Sequence, residues 1–275
     1  MQELEGKVAL VTGGGSGIGR ALALECANRG MHVVVADIEA EPAERVAAEV
    51  RELGMRSLAQ QADVSQRAAV DALAERAYAQ FGQVNLLFAN AGVSIHRPLA
   101  EAREQDWGWL LSVNLWGTIH TVDAFVQRMR RQPGDAHIVV TASMSGLLAR
   151  RNNRGIYTTT KHGLVGFTNV LRDELEPEGI GVSCFCPGGM LTRGREGGRN
   201  RQAQFGGPFV PEGLQGEREP NPMLPEGVAP RVLEGVRRNL RYIFSHPHTR
   251  AQVQAYYDQI FADFDAAEDI VKEVG

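Results

Sequence analysis

Tyr157 and Lys161 stand four residues apart in the stretch YTTTK. On a helix that spacing places both side chains on one face, side by side. A free tyrosine has a pKa of about 10, too high for a base at neutral pH. An ammonium beside it favours the phenolate and lowers that value. A phenolate tuned in this way takes a proton from a hydroxyl, and the phenol returns one to a carbonyl. Ser143 closes the apolar run AHIVVTAS, and its hydroxyl can hold a substrate oxygen and the charge that develops there. The same Tyr–Lys pair also suits a plain solvated helix face, so the surrounding elements have to decide.

Those elements follow a pattern. Apolar, β-branched runs at 7–12, 32–37, 84–90, 136–143 and 181–187 read as strands, with a weaker one at RSLAQQ. Between them, 17–29, 40–53, 66–80 and 155–176 read as helices, and 104–131 as one long helix. Runs that are apolar throughout suit strands covered on both faces. Strand and helix in alternation imply right-handed βαβ units and a doubly wound parallel sheet. Residues 188–227 break the pattern. They are dense in Gly, Pro and Arg, as in a long binding loop. Beyond them come a helix at 228–240, the strand RYIFSH and a helix at 249–264. The last groups Val253, Tyr256, Tyr257, Ile260, Phe261 and Phe264 on one side, as core or as a subunit contact.

TGGGSGIG, residues 12–19, follows the first strand and opens the first helix. Glycines there let the backbone turn tightly and approach a pyrophosphate. The helix N-terminus offers it free N–H groups and a positive dipole end. Asp37 ends the second strand, where a carboxylate can accept from ribose hydroxyls and would repel an extra phosphate. Ile38 follows it, with no Arg or Lys beside the carboxylate. NAD is therefore expected over NADP. The expected fold is α/β: a single doubly wound Rossmann-type domain over 1–275, with helices on both faces. Its sheet should have about seven strands, mostly or wholly parallel. The substrate loop is 188–227, and a C-terminal strand plus helix spans 241–264.

Gly13, Gly17 and Gly19 have the spacing T-G-x-x-x-G-x-G. NAG at 90–92, Asn114 in SVNLWG, Ser143 in TASMSG, YTTTK and PGGMLT at 187–192 follow in that order. With them, the chain resembles the short-chain dehydrogenase/reductase family over residues 5–192. The resemblance implies Asn114, Ser143, Tyr157 and Lys161 as catalytic residues, with Asn114 holding a water that links Lys161 to solvent. It implies cofactor contacts from Gly13, Ser16, Gly17, Ile18, Gly19 and Asp37. Asp63 and Val64 would line the adenine pocket, and Asn90 and Gly92 would support the sugar region. Tyr157, Lys161, Pro187, Gly188 and Thr192 would surround the nicotinamide end. Ser16 stands where NADP-preferring relatives often carry a basic residue. The family also implies a homodimer or homotetramer.

Some positions depart from the family pattern. Ala89 replaces a common Asn, and Thr159 and Thr160 replace smaller residues. The three threonines carry no assigned chemistry. The tail is similar to that of Cα-dehydrogenases of lignin-derived aryl ethers and of bulky-ketone alcohol dehydrogenases. The expected substrate is accordingly a secondary alcohol or ketone, bulky and apolar or aromatic. Phe205, Phe209 and Met223 would close over it. Arg193, Arg195, Arg199 and Arg201 could meet an anionic group or face water, and facing water is the favoured reading. Two other readings stay open. One is an NADP-linked ketone or 3-oxoacyl reductase. The other is a non-catalytic dinucleotide sensor, which would usually lack the tyrosine or the lysine.

Composition narrows the partners. The net charge of −4 offers no basic domain for nucleic acid, and Arg128, Arg130 and Arg131 read as a solvated helix end. Three cysteines without framework spacing (Cys26, Cys184, Cys186) suit a reducing compartment. No basic segment leads into a long apolar one at the start, and no apolar run reaches the ~18 residues of a membrane span. A cytoplasmic protein is expected. His246 and His248 flank Pro247 without a third ligand at useful spacing, so no metal is expected.

Overall fold

The structure is a computed structural model, and it describes residues 1–149, 153–210 and 222–274. Seven strands form one sheet: β1 (Val8–Thr12), β2 (His32–Asp37), β3 (Ser57–Gln61), β4 (Leu86–Ala89), β5 (Ala136–Thr141), β6 (Ile180–Cys186) and β7 (Tyr242–Phe244). Their order is β3-β2-β1-β4-β5-β6-β7, and every pairing is parallel. The helices are α1 (Gly17–Asn28), α2 (Ala40–Glu52), α3 (Arg67–Phe81), α4 (Glu104–Leu110), α5 (Gly117–Met129), α6 (Gly155–Leu175), α7 (Pro225–Arg237) and α8 (Arg250–Val274).

Both faces of the sheet are covered. Val8, Leu10, Leu87, Ile138, Val140 and Val182 point to one side, where Leu73 of α3, Phe125 of α5 and Leu164 of α6 meet them. Ala9, Val11, Val33, Val35, Phe88 and Phe185 point to the other, against Leu22 of α1, Val46 of α2 and Val232 of α7. This double burial is why the strands read as unbroken apolar runs. Because all strands are parallel, their carboxyl ends share one edge. The order reverses between β1 and β4, and that edge of such a sheet is where ligands bind.

Three stretches differ from expectation. The helix over 104–131 is not regular throughout, since Leu111–Trp116 forms a wider π-helical turn between α4 and α5. Asn114 lies in it, as π-turns often do at functional sites. The long loop is partly built: Arg193–Asn200 and Ala203–Phe205 form 3-10 turns, and α7 already starts at Pro225. Residues 211–221 of it lie outside the described residues. The last helix runs ten residues past 264, to Val274, and has no buried residue. Val253 and Tyr256 are partly buried, whereas Tyr257, Ile260, Phe261 and Phe264 are exposed, so the stripe is not core within this chain. No described helix is long and apolar enough to cross a membrane.

Candidate active site

The glycine loop is shaped by close approach. Gly13 has φ +65°, and a Cβ there would come within 2.9 Å of Ala91 Cα. A Cβ on Gly19 would lie 2.0 Å from the Gly13 carbonyl oxygen, so no larger residue fits. Ser16 precedes α1 in extended conformation and its side chain makes no capping bond, and no acidic residue stands in the first turn. The N–H groups of that helix end thus remain available to an anion. Asp37 helps build the loop: its carboxylate accepts from Gly15 N at 2.9 Å and Glu39 N at 3.0 Å. Burial pushes its pKa up, and these bonds and Arg199 act against that.

Thr12, at the end of β1, organises the NAG turn. Its hydroxyl donates to Phe88 O at 3.2 Å and accepts from Asn90 N at 3.0 Å and Ala91 N at 3.2 Å. Asn90 returns a bond from Nδ2 to Thr12 O at 3.0 Å, and Thr141 donates to Asn90 Oδ1 at 3.1 Å. Sequence reasoning passed over Thr12 and Thr141. Thr12 opens the TGGGSGIG stretch, which was the available signal.

Tyr157 occupies the third position of α6, and Lys161 follows one turn on. Lys161 is 3% exposed, and its ammonium donates to Thr141 O at 2.8 Å. Burial lowers the Lys161 pKa, against the pull of Tyr157. For Tyr157, burial raises the pKa, but Lys161, Arg154 and hydrogen bonds from Ser143 and Arg154 together outweigh it. The phenol is held below its ordinary value. A phenol in that state, beside a serine hydroxyl, can exchange a proton with a bound alcohol or carbonyl.

Asn114 is fully buried. Its Oδ1 accepts from Val93 N at 2.8 Å, and its Nδ2 donates to Val93 O at 3.0 Å and to Thr160 Oγ1 at 3.1 Å. One threonine of YTTTK therefore has a structural partner after all.

A cavity of about 780 Å³ runs along this edge. Gly13, Ser16, Gly17, Ile18, Gly19, Asp37, Asp63, Val64, Asn90 and Gly92 line it, as do Ser143, Tyr157, Lys161, Pro187, Gly188 and Thr192. Asn114 sits behind the wall. The lining also includes the polar side chains of His96, Arg154, His248 and Gln252 beside the apolar ones of Val93, Trp109, Val113, Met144 and Leu191. Phe205, Phe209 and Met223 are not among the lining residues. Phe209 packs edge-on against Trp109 at 5.9 Å, Phe205 faces Gly108, and Met223 pairs with Met190.

The arginines of the loop also depart from expectation. Arg193 pairs with Glu196 on the surface, but Arg199 pairs with Glu39, beside Asp37. Arg201 is 6% exposed, forms an ion pair with Asp106 at 2.8 Å, and lies over the rings of Trp109 and Phe209. Arg97 takes the other oxygen of Asp106 at 3.1 Å. The Arg195 side chain lies outside the described residues. His246 and His248 have ring centroids 5.6 Å apart, and no group of three metal-ligating side chains occurs among the described residues.

Comparison with known proteins agrees with this geometry. A family model described as short chain dehydrogenase matches residues 7–203. The chain is 30% identical to a C alpha-dehydrogenase of Sphingobium sp. strain SYK-6, covering 94% of this chain and 87% of that one. It is 30% identical to 1-deoxy-11-beta-hydroxypentalenate dehydrogenase of Streptomyces exfoliatus, over 94% and 90% of the two chains. Among solved structures, a short chain dehydrogenase/reductase from Burkholderia phymatum in complex with NAD superposes with TM-score 0.90. Identity there is 35%, over 96% and 97% of the chains. The apo form of LigD from Sphingobium sp. strain SYK-6 gives TM-score 0.80 at 28% identity, over 94% and 97%. Motif order, sheet topology and the matched family model lead to one assignment: the chain belongs to the short-chain dehydrogenase family.

Proposed function

We propose that this chain is an NAD-dependent oxidoreductase that transfers hydride between the nicotinamide and a bulky secondary alcohol or its ketone. The observation that carries the reading is the meeting of Tyr157, Lys161 and Ser143 in one cavity with the glycine loop. Bound NAD would supply the hydride acceptor. The residues supply the rest. Gly13 to Gly19 and the N-terminus of α1 would hold the pyrophosphate. Ser143 would hold the substrate oxygen. Tyr157, as phenolate, takes the hydroxyl proton during oxidation and, as phenol, gives it back during reduction. Lys161 supports the phenolate by charge. Asn114 fixes the turn at 90–93 and the helix face that carries Lys161.

Asp37 supports NAD over NADP, since its carboxylate stands where an added phosphate would meet a like charge. One observation favours the NADP reading, namely the guanidinium of Arg199 close by. Glu39 already pairs with it, which leaves the local balance negative. The exposed apolar side of α8 supports a homodimer or homotetramer.

The test is formation of reduced nicotinamide with a panel of aryl carbinols, steroids and acyclic bulky alcohols, using NAD and NADP in parallel. Turnover with NAD, lost in a Tyr157→Phe variant that still binds NAD, is the expected result. Equal turnover in wild type and variant would remove Tyr157 from the reaction. A wild-type preference for NADP would reject the charge argument at Asp37.

A further inference from the structure

Arg154 immediately precedes α6, three residues before Tyr157. Its place is set by backbone bonds. Arg97 and Arg154 form an isolated parallel bridge, Arg97 N donates to Asn153 O at 2.6 Å, and Thr158 N donates to Arg154 O at 2.8 Å. The loop after β4 therefore pins the start of the catalytic helix. From that position the Arg154 guanidinium lies over the Tyr157 ring, its Cζ 4.3 Å from the ring centre. The Lys161 ammonium is 5.5 Å from the same centre. Arg154 also lines the cavity with Ser143 and Tyr157.

We propose that Arg154 is a positioning residue for the reaction: a second cation, beside Lys161, that holds Tyr157 in its proton-accepting form. The proposal rests on the acid/base reading of Tyr157. Two features make a second cation useful. A positive charge over a phenol ring is attracted to the ring face and more strongly to a phenolate. Lys161 is almost fully buried, and an ammonium there is under pressure to lose its proton. A guanidinium, as a class, keeps its charge in such settings and hydrates weakly. The direction of the Tyr157 shift agrees, since burial alone would move it the other way.

Other ionisable groups share this end of the site. His96 faces it from the loop after β4, and His246 and His248 from the segment after β7. Cys184 and Cys186 of β6 are further neighbours of Lys161 that carry ionisable groups. The carboxylate of Asp106, reached through Arg97, is shared between Arg97 and Arg201. A measurement that reads the phenolate itself separates Tyr157 from all of them.

The experiment is a spectrophotometric pH titration of tyrosinate absorbance in the full-length protein. Wild type minus Tyr157→Phe isolates the one residue, and the same subtraction is made in Arg154→Gln, Arg154→Lys and Arg154→Met backgrounds. Circular dichroism checks the fold, with the methionine variant as the second neutral replacement. We expect a Tyr157 titration below the ordinary tyrosine value in wild type. It should move up by about 1 pH unit in the neutral variants and stay near wild type in Arg154→Lys. An unchanged titration in the neutral variants overturns the proposal. So does an equal shift in all three, because that is a packing effect. If wild type has no lowered titration, this inference and the acid/base reading fall together. If the titrations behave as expected and no secondary alcohol is oxidised, only the proposed function falls.

Discussion

The side-chain amide of Asn114 donates to the hydroxyl of Thr160 at 3.1 Å, and that hydroxyl donates to the Tyr157 carbonyl at 2.8 Å. A single residue next to Lys161 thus ties the π-turn to α6. Thr160→Val keeps the shape and removes both bonds. Asn114 Nδ2 still has Val93 O, so the expected loss of stability is modest, about 1 kcal/mol. Alcohol turnover should fall well beyond that of Thr160→Ser, which keeps the hydroxyl. Wild-type turnover in the valine variant would show that Asn114 needs no such anchor.

If Tyr157 is the proposed acid/base, its lowered pKa would set the pH dependence of both directions. Oxidation would use the phenolate, so kcat/KM for an alcohol should be lost as pH falls through the Tyr157 value. Reduction would use the phenol, so kcat/KM for the ketone should be lost as pH rises through it. Both inflections should lie below the ordinary tyrosine value. Profiles in the two directions with one alcohol–ketone pair check this, and inflections that belong to different groups would separate Tyr157 from the proton transfer.

Asp106 is fully buried between Arg97 and Arg201. Asp106→Asn leaves two cationic side chains facing each other with no counter-charge. Urea unfolding should register a loss of about 3–5 kcal/mol. Arg201→Leu should cost less, because Asp106 keeps Arg97 and the apolar replacement packs between Trp109 and Phe209. The reverse ranking would mean that the ion pair with Arg201 dominates.

His137 on β5 is completely buried, its Nε2 2.9 Å from Ser183 Oγ. Burial, the N-terminal charge and Arg172 push its pKa down to about 3. An unfolded histidine titrates near 6.5, so below that pH the unfolded chain binds a proton that the folded chain refuses. The stabilisation from neutral His137 is complete above about pH 6.5 and is lost progressively as pH falls toward the folded value, on the order of 1.4 kcal/mol per pH unit. His137→Gln should flatten the fall of Tm between neutral and acid pH. A slope equal to wild type would assign the acid sensitivity to other groups.

Phe261 and Phe264 are 59% and 65% exposed on α8. Contiguous apolar exposure of this kind marks a contact surface. If copies of the chain meet through this face, Phe261→Glu with Phe264→Glu should lower the mass measured by light scattering to that of one 30.0 kDa chain. An assembly that survives the double change would place the contact elsewhere.

The sheet was legible because burial on both faces leaves no polar alternation in its strands. The glycine loop was legible because close backbone contacts, such as Gly19 against Gly13, exclude every other residue type. Arg201 was not. A Gly- and Arg-rich stretch has the composition of a solvated loop, and its burial depends on Asp106 and Trp109, both distant in sequence. Arg154 escaped notice because its contact with Tyr157 needs the bridge to Arg97, which no local spacing encodes. The π-turn was hidden for a related reason: its residues are as apolar as those of a regular helix. The α8 stripe suits core or contact equally in the sequence, since periodicity shows which side is apolar and not what covers it.

The segment after β6 is fastened across the groove at separate points. Thr192 lies against Gly17, Arg199 pairs with Glu39, Gln202 donates to Asp63 at 2.7 Å, and Arg201 pairs with Asp106. A molecule lying beneath this strap would have to part several of these contacts before leaving, so its residence time would depend on the protein as much as on the ligand.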